Sequence, residues 1–108
     1  MAKVIIYGDS FTNANLLSVE VGTNCPQGGD SGHGGRTILR LRDDGGTAWS
    51  ARVDESTFES PREIEIVLGG DCEAYTFLQA LEFAVKSLRK RIDPHDQNVG
   101  TEVDVDFH

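Results

Sequence analysis

The segment Gly22-Thr23-Asn24-Cys25-Pro26-Gln27-Gly28-Gly29-Asp30-Ser31-Gly32-His33-Gly34-Gly35-Arg36 concentrates the side chains best suited to bind something. Six of its fifteen residues are glycine. Glycine lets backbone N–H groups come close to an oxyanion, at an entropic cost when the loop is ordered. The spacing therefore predicts an anion site. The backbone N–H groups of Gly28, Gly29, Gly34 and Gly35 would face a phosphate, with His33 and Arg36 completing its charge. Asn24 or Gln27 would read a base or sugar edge. The competing reading is a long hairpin loop with no ligand. This is not a nucleoside-triphosphate loop of the Walker type, because no Gly-Lys-Ser/Thr closes it and a strand, not a helix, is expected next.

Catalytic arrangements fail on order and spacing. Gly29-Asp30-Ser31-Gly32 echoes the nucleophile segment of chymotrypsin-like proteases, but no histidine precedes Ser31. Tyr7-Gly8-Asp9-Ser10 resembles the first block of SGNH-type hydrolases, yet neither His95 nor His108 has an aspartate three residues before it. Ser10 is read as a turn residue, and no catalytic residue is expected. The three histidines, His33, His95 and His108, are too sparse for a metal centre, and neither metal nor cofactor is expected. Cys25 and Cys72 form no disulfide framework and are read as free thiols of a reducing compartment, a bridge between them being the alternative.

Charge patterning adds a second basic feature. Arg36, Arg40 and Arg42 share one face of a predicted strand, with Arg52 on the next. Same-face arginines need carboxylates, with Glu20, Glu63 and Glu65 available, or else a bound anion. Asp43-Asp44 and Asp54-Glu55 read as solvated turn charges, and Gly69-Gly70-Asp71-Cys72 as a structural turn. Trp49 or Phe58 would offer a stacking surface, although a core position suits Trp49 better.

The elements that must position these groups follow from periodicity. Val4-Ile5-Ile6-Tyr7 reads as a short strand closed by Gly8-Asp9-Ser10. Leu17, Val19 and Val21 alternate with Ser18 and Glu20; Thr37, Leu39 and Leu41 alternate with the arginines; Ile64, Ile66 and Leu68 alternate with Glu63, Glu65 and Val67. Asp43-Asp44-Gly45-Gly46 predicts a hairpin turn, returning through a strand in which Trp49, Ala51 and Val53 are in phase. Residues 54–62 read as a loop. From Glu73, Leu78, Leu81, Val85, Leu88 and Ile92 recur at helical spacing, widened by Phe77, Ala80 and Ala84, with Asp71 as N-cap and Pro94 as stop. The prediction is an α+β domain over residues 1–92: a mostly antiparallel sheet of about five strands with one long C-terminal amphipathic helix on one face. Residues 93–108 form an acidic tail whose alternation at 101–107 suits an edge strand or a subunit-contact arm, a frayed end being the alternative.

The chain has 108 residues and a net charge of -8, from 18 Asp+Glu against 10 Lys+Arg. Such an acid excess argues against binding duplex nucleic acid. No apolar run approaches the roughly 20 residues of a membrane span, and the first residues are too short an apolar stretch for a signal peptide, so a cytoplasmic location is expected. Five acids and no Lys or Arg lie in the last sixteen residues, which leaves the arginine strand and the glycine loop as a local basic site. A short chain with one helix for one sheet also predicts a homo-oligomer.

The combination of residues 24–35, then Gly45-Gly46-Thr47-Ala48-Trp49, then Gly69-Gly70-Asp71 before an amphipathic helix resembles small proteins carried by phages and mobile elements. Among these it is most similar to the Thoeris anti-defence sponges, which sequester nucleotide second messengers. The resemblance spans roughly residues 20–92 and implies a non-enzymatic, oligomeric protein of the host-cell cytosol that binds a cyclic nucleotide without cleaving it. The alternative expectation, motivated by the acidic tail, is an inhibitor that binds a host defence protein, such as an anti-CRISPR or nucleic-acid mimic.

Overall fold

A computed structural model describes residues 3–24, 35–92 and 100–105, with Asp71 and Cys72 described in backbone only. The elements run β1 (Ile6–Thr12), β2 (Leu16–Thr23), β3 (Arg36–Gly45), β4 (Ser50–Val53), β5 (Ser56–Glu59), β6 (Glu63–Gly69) and α1 (Asp71–Ile92). Four strands form an antiparallel sheet in the order β1-β2-β3-β6, and β4 and β5 pair as a separate hairpin. The fold is α+β, as the element order predicts.

Cross-strand register sorts the side chains onto two faces. Tyr7 opposes Val21, which opposes Leu39, which opposes Ile66; Val19, Leu41 and Ile64 line up beside them. This is the apolar face expected from the alternation. The other face is polar: Ser10 opposes Ser18, Ser18 opposes Arg42, and Glu20 opposes Arg40, which opposes Glu65. Arg40 donates to Glu65 at 2.5 Å and to Glu20 at 3.5 Å. Those bonds raise the affinity of its guanidinium for its proton, the Glu65 bond contributing most. The register shift at Leu16/Leu17 leaves Asp44 outside the pairing. Its carboxylate accepts from the Ser18 hydroxyl and from Arg42 Nε.

Three sequence expectations are corrected. Gly8, Asp9 and Ser10 lie inside β1 rather than in a turn. The ladder with β2 continues through all three, and the Ser10 hydroxyl lies 3.0 Å from that of Ser18. Asp43 to Gly46 is no tight hairpin turn, because β3 runs on to Gly45 against β2. Asp43 Oδ1 instead accepts from the N–H groups of Gly45 and Thr47 and peels the chain off the sheet. The loop expected at residues 54–62 contains β5, which pairs with β4 across Asp54 and Glu55; Asp54 takes a positive φ of 55° to make that turn. The sheet of about five strands is thus four strands plus a two-strand hairpin. Residues 100–105 carry no strand pairing within the chain. The rest of the acidic tail lies outside the described residues.

The helix meets its expected bounds but not its expected cover. Only its first turns reach the sheet: Ala74, Phe77 and Leu81 are half-buried, whereas Val85, Leu88 and Ile92 are 51%, 61% and 78% exposed. Gly70 starts the helix with a φ of 98°, a conformation that disfavours any side chain. No apolar side chain among the described residues is fully buried, and the buried polar ones are Ser18 and Thr37. Among the described residues no helix is long and apolar enough to cross a membrane.

Candidate functional site

Strands β2 and β3 leave the sheet together at the end where the glycine-rich segment departs. Thr23 and Thr37 face each other there, their hydroxyls 2.8 Å apart. Beyond them Asn24 and Arg36 close a neck. The Asn24 N–H donates to the Arg36 carbonyl at 3.1 Å, and the Arg36 N–H donates to Asn24 Oδ1 at 2.7 Å. The amide oxygen of Asn24 thus helps to hold the loop ends together. The Gly35 carbonyl accepts twice, from Arg36 Nη1 at 2.7 Å and from the Gly70 N–H at 2.9 Å. Loop end, arginine and helix start meet at that one oxygen.

Of the candidate ligand residues, the structure brings together Asn24, Gly35 and Arg36. Gln27, Gly28, Gly29, His33 and Gly34 lie outside the described residues, as do Cys25, His95 and His108. The arginine face resolves into separate roles. Arg40 and Arg42 are matched by Glu20, Glu65 and Asp44. Among the described ion pairs none involves Arg36, which leaves it as the cation of the neck.

A feature that the spacing did not reveal lies beside the neck. The first turns of α1 and the apolar sheet face enclose an apolar cavity of about 310 Å³, whose lining includes Tyr7, Thr23, Thr37, Tyr75 and Phe77. Its size falls within the usual range for a small-molecule site. Aromatic faces and two hydroxyls suit a flat heterocycle. The cavity shares Thr23 and Thr37 with the neck, since each is the next residue along from Asn24 or Arg36. Its signal was present in the sequence as the phase of Tyr7 with Val21 and of Ala74 with Phe77 and Leu81. That phase reads equally well as ordinary core, so no site emerged from it.

Trp49 and Phe58 play no part at the neck. Strand β3 spans ten residues, about 30 Å, and both aromatics belong to the segment beyond its far end. Trp49 is half-buried and donates its indole N–H to the Pro61 carbonyl at 2.6 Å, which pins the β4–β5 hairpin. Phe58 is 53% exposed on that hairpin. Among the described residues no cluster of three or more potential ligands could hold a metal ion. No family model matches the chain, and neither the curated proteins nor the solved structures contain a match.

Proposed function

We propose that this chain is a non-catalytic, phage-type anti-defence protein that binds and sequesters a phosphorylated nucleotide signal. The observation that supports this most is the adjacency of an aromatic cavity to the neck of a glycine-rich loop, where Arg36 takes part in no ion pair among the described residues. The base would enter the cavity between Tyr7, Tyr75 and Phe77. The phosphate would lie beside the neck, on Arg36 and on backbone N–H groups of the glycine-rich loop. Sequestration needs tight binding and no turnover.

Isothermal titration of the whole chain against a panel of cyclic mono- and dinucleotides tests this reading. Saturable heat is expected with at least one member, and mass spectrometry should recover that nucleotide intact. Arg36→Gln leaves the backbone bonds of the neck in place, and it should weaken binding by about 10- to 100-fold through loss of charge-assisted hydrogen bonds. Trp49→Phe, at the other end of the sheet, should leave affinity unchanged. Absence of heat with every member at sub-millimolar protein, or turnover of the bound nucleotide, rules the reading out.

A further inference from the structure

We infer, on the reading that places a base in it, that the cavity beside the neck selects a neutral heterocycle bearing an amino group, and that the buried hydroxyl of Thr37 reads that group as a hydrogen-bond acceptor. Thr37 is 6% exposed, whereas Tyr7 and Tyr75 in the same lining are 71% and 60% exposed. The two phenols thus stand toward the mouth, where water can serve them, and the Thr37 hydroxyl lies at the floor. Val21, Phe77 and Leu81 line the cavity with apolar side chains that give no directional contact. Thr37 is the polar side chain best placed to fix how a ligand sits.

What Thr37 offers follows from counting protons. A hydroxyl has one proton to give and two lone pairs to receive with. The Thr23 hydroxyl donates to the Arg36 carbonyl at 3.1 Å. With that proton committed, Thr23 accepts in its 2.8 Å contact with Thr37, and Thr37 donates. The relay runs from Thr37 through Thr23 to the Arg36 carbonyl. It has no reverse direction, because a carbonyl holds no proton to return. Both hydroxyl protons are spent within the wall, so Thr37 faces the cavity as an acceptor. A ligand that fills the cavity shields that oxygen from water, and an acceptor left buried and unmet is costly. The ligand must therefore bring a donor. No carboxylate lines the cavity among the described residues, so an ammonium ion would be buried without a counter-ion. An amino group on an aromatic ring is uncharged at neutral pH and projects N–H bonds from the edge of a plane that can stack on the tyrosines. The ring N–H of an oxo base is less suitable. A carbonyl oxygen lies beside it, and its lone pairs would be pressed against those of Thr37.

Titration of the nitrogen-15-labelled full chain with heterocycles that carry no phosphate tests the cavity apart from the anion site. 9-Methyladenine, 9-methyl-2-aminopurine and 1-methylcytosine bear the amino group. 9-Methylpurine and 1-methyl-2-pyrimidinone are their parents without it, and in every probe a methyl group blocks the ring nitrogen that a sugar would occupy. Saturable shifts at the Val21, Thr23 and Thr37 amides are expected with at least one amino compound, at an affinity about 10-fold or more above its parent's. Thr37→Val keeps the shape and removes the acceptor. It should bring the amino compound down to its parent while the parent binds as before, and Thr37→Ser should keep the preference. Lost packing alone would weaken both members of a pair together. If Thr37→Val fails to fold, the wild-type comparison within each pair decides. Equal binding within every pair, a preference that survives Thr37→Val, or no shift with any probe overturns the inference. Heat from a cyclic nucleotide alongside such a result would leave sequestration standing. A Thr37-dependent preference for amino compounds, with no heat from any cyclic nucleotide, would remove sequestration and uphold the amino-group selectivity.

Discussion

Replacing Gly22 with alanine tests how the sheet is assembled. Gly22 opposes Ile6 on the polar face and is buried. A methyl group there would stand 2.3 Å from the Ile5 carbonyl oxygen, 2.9 Å from Val4 Cγ1 and 3.0 Å from Ile6 Cδ1. Comfortable separations for such atoms are about 3.5–4.0 Å, so the chain entering β1 must move by about 1 Å. The nearest atom is backbone, so no rotamer change relieves it. Overpacking of this kind costs about 1–3 kcal/mol. In a domain of this size, that lowers Tm by about 4–8 °C for each kcal/mol. Gly45→Ala is the matched control, since its nearest neighbour is Leu16 Cβ at 4.0 Å. It should be neutral or stabilise by about 0.4–1 kcal/mol through the unfolded chain. Thermal unfolding followed by far-ultraviolet circular dichroism, at one protein concentration throughout, reads both. A Gly22→Ala melting curve that superimposes on wild type, or a Gly45→Ala curve that falls as far, would refute the packing argument.

Gly70→Ala forces a side chain into φ 98° and should destabilise by about 1–3 kcal/mol, read as a lowered urea midpoint. Trp49→Phe removes the indole bond to Pro61 and should cost about 1 kcal/mol, with the loss of amide protection confined to β4 and β5. Asp43 is held below its ordinary 3.8, first by the Thr47 N–H, and Asp44 is held below the same value, first by the Ser18 hydroxyl. A lowered folded-state pKa contributes stability that is complete above the unfolded value and disappears as pH falls through the folded one. Asp43→Asn should therefore melt below wild type at neutral pH, and the gap should close as pH drops below 3.8. A gap that persists in strong acid would sink that assignment. Arg40→Gln leaves Glu20 and Glu65 facing each other's side of an empty position, and added salt should narrow the resulting loss of Tm by screening them.

Strict alternation made the main sheet legible. Val19, Leu41 and Ile64 announced one face, and Ser18, Arg40 and Glu65 the other, because period-two patterning is a property of the residues alone. Glycine misled in both directions. Gly8 looked like a strand stop, yet the ladder continues through it because its strand geometry needs no positive φ. Gly45 looked like a turn residue, yet it ends a strand whose departure is decided by the Asp43 carboxylate. Strand β5 escaped notice because Ser56-Thr57-Phe58-Glu59 is too short and polar to stand out, and it exists by pairing with β4. The helix was legible in length but not in cover, since a stripe records only that something packs against it. Arg36 was identifiable as a candidate. Arg40 pairs with Glu20 and Glu65, two of the carboxylates the alternation offered, whereas the Arg42 pair depends on a bulge placing Asp44, which no local pattern reports. The aromatic cavity was hidden for the same reason: Tyr7 and Phe77 are far apart in sequence and meet only across the helix and sheet.

The Gly35 carbonyl, shared between Arg36 and the Gly70 N–H, makes the two ends of α1's approach chemically audible to one another. An event that draws Gly35 away from the helix start must break its bond to the Gly70 amide. Any event that tightens the neck should slow exchange of that same proton with solvent. The Gly70 amide is thus a single-atom gauge of how firmly Gly35 is held against the helix start, readable by nuclear magnetic resonance.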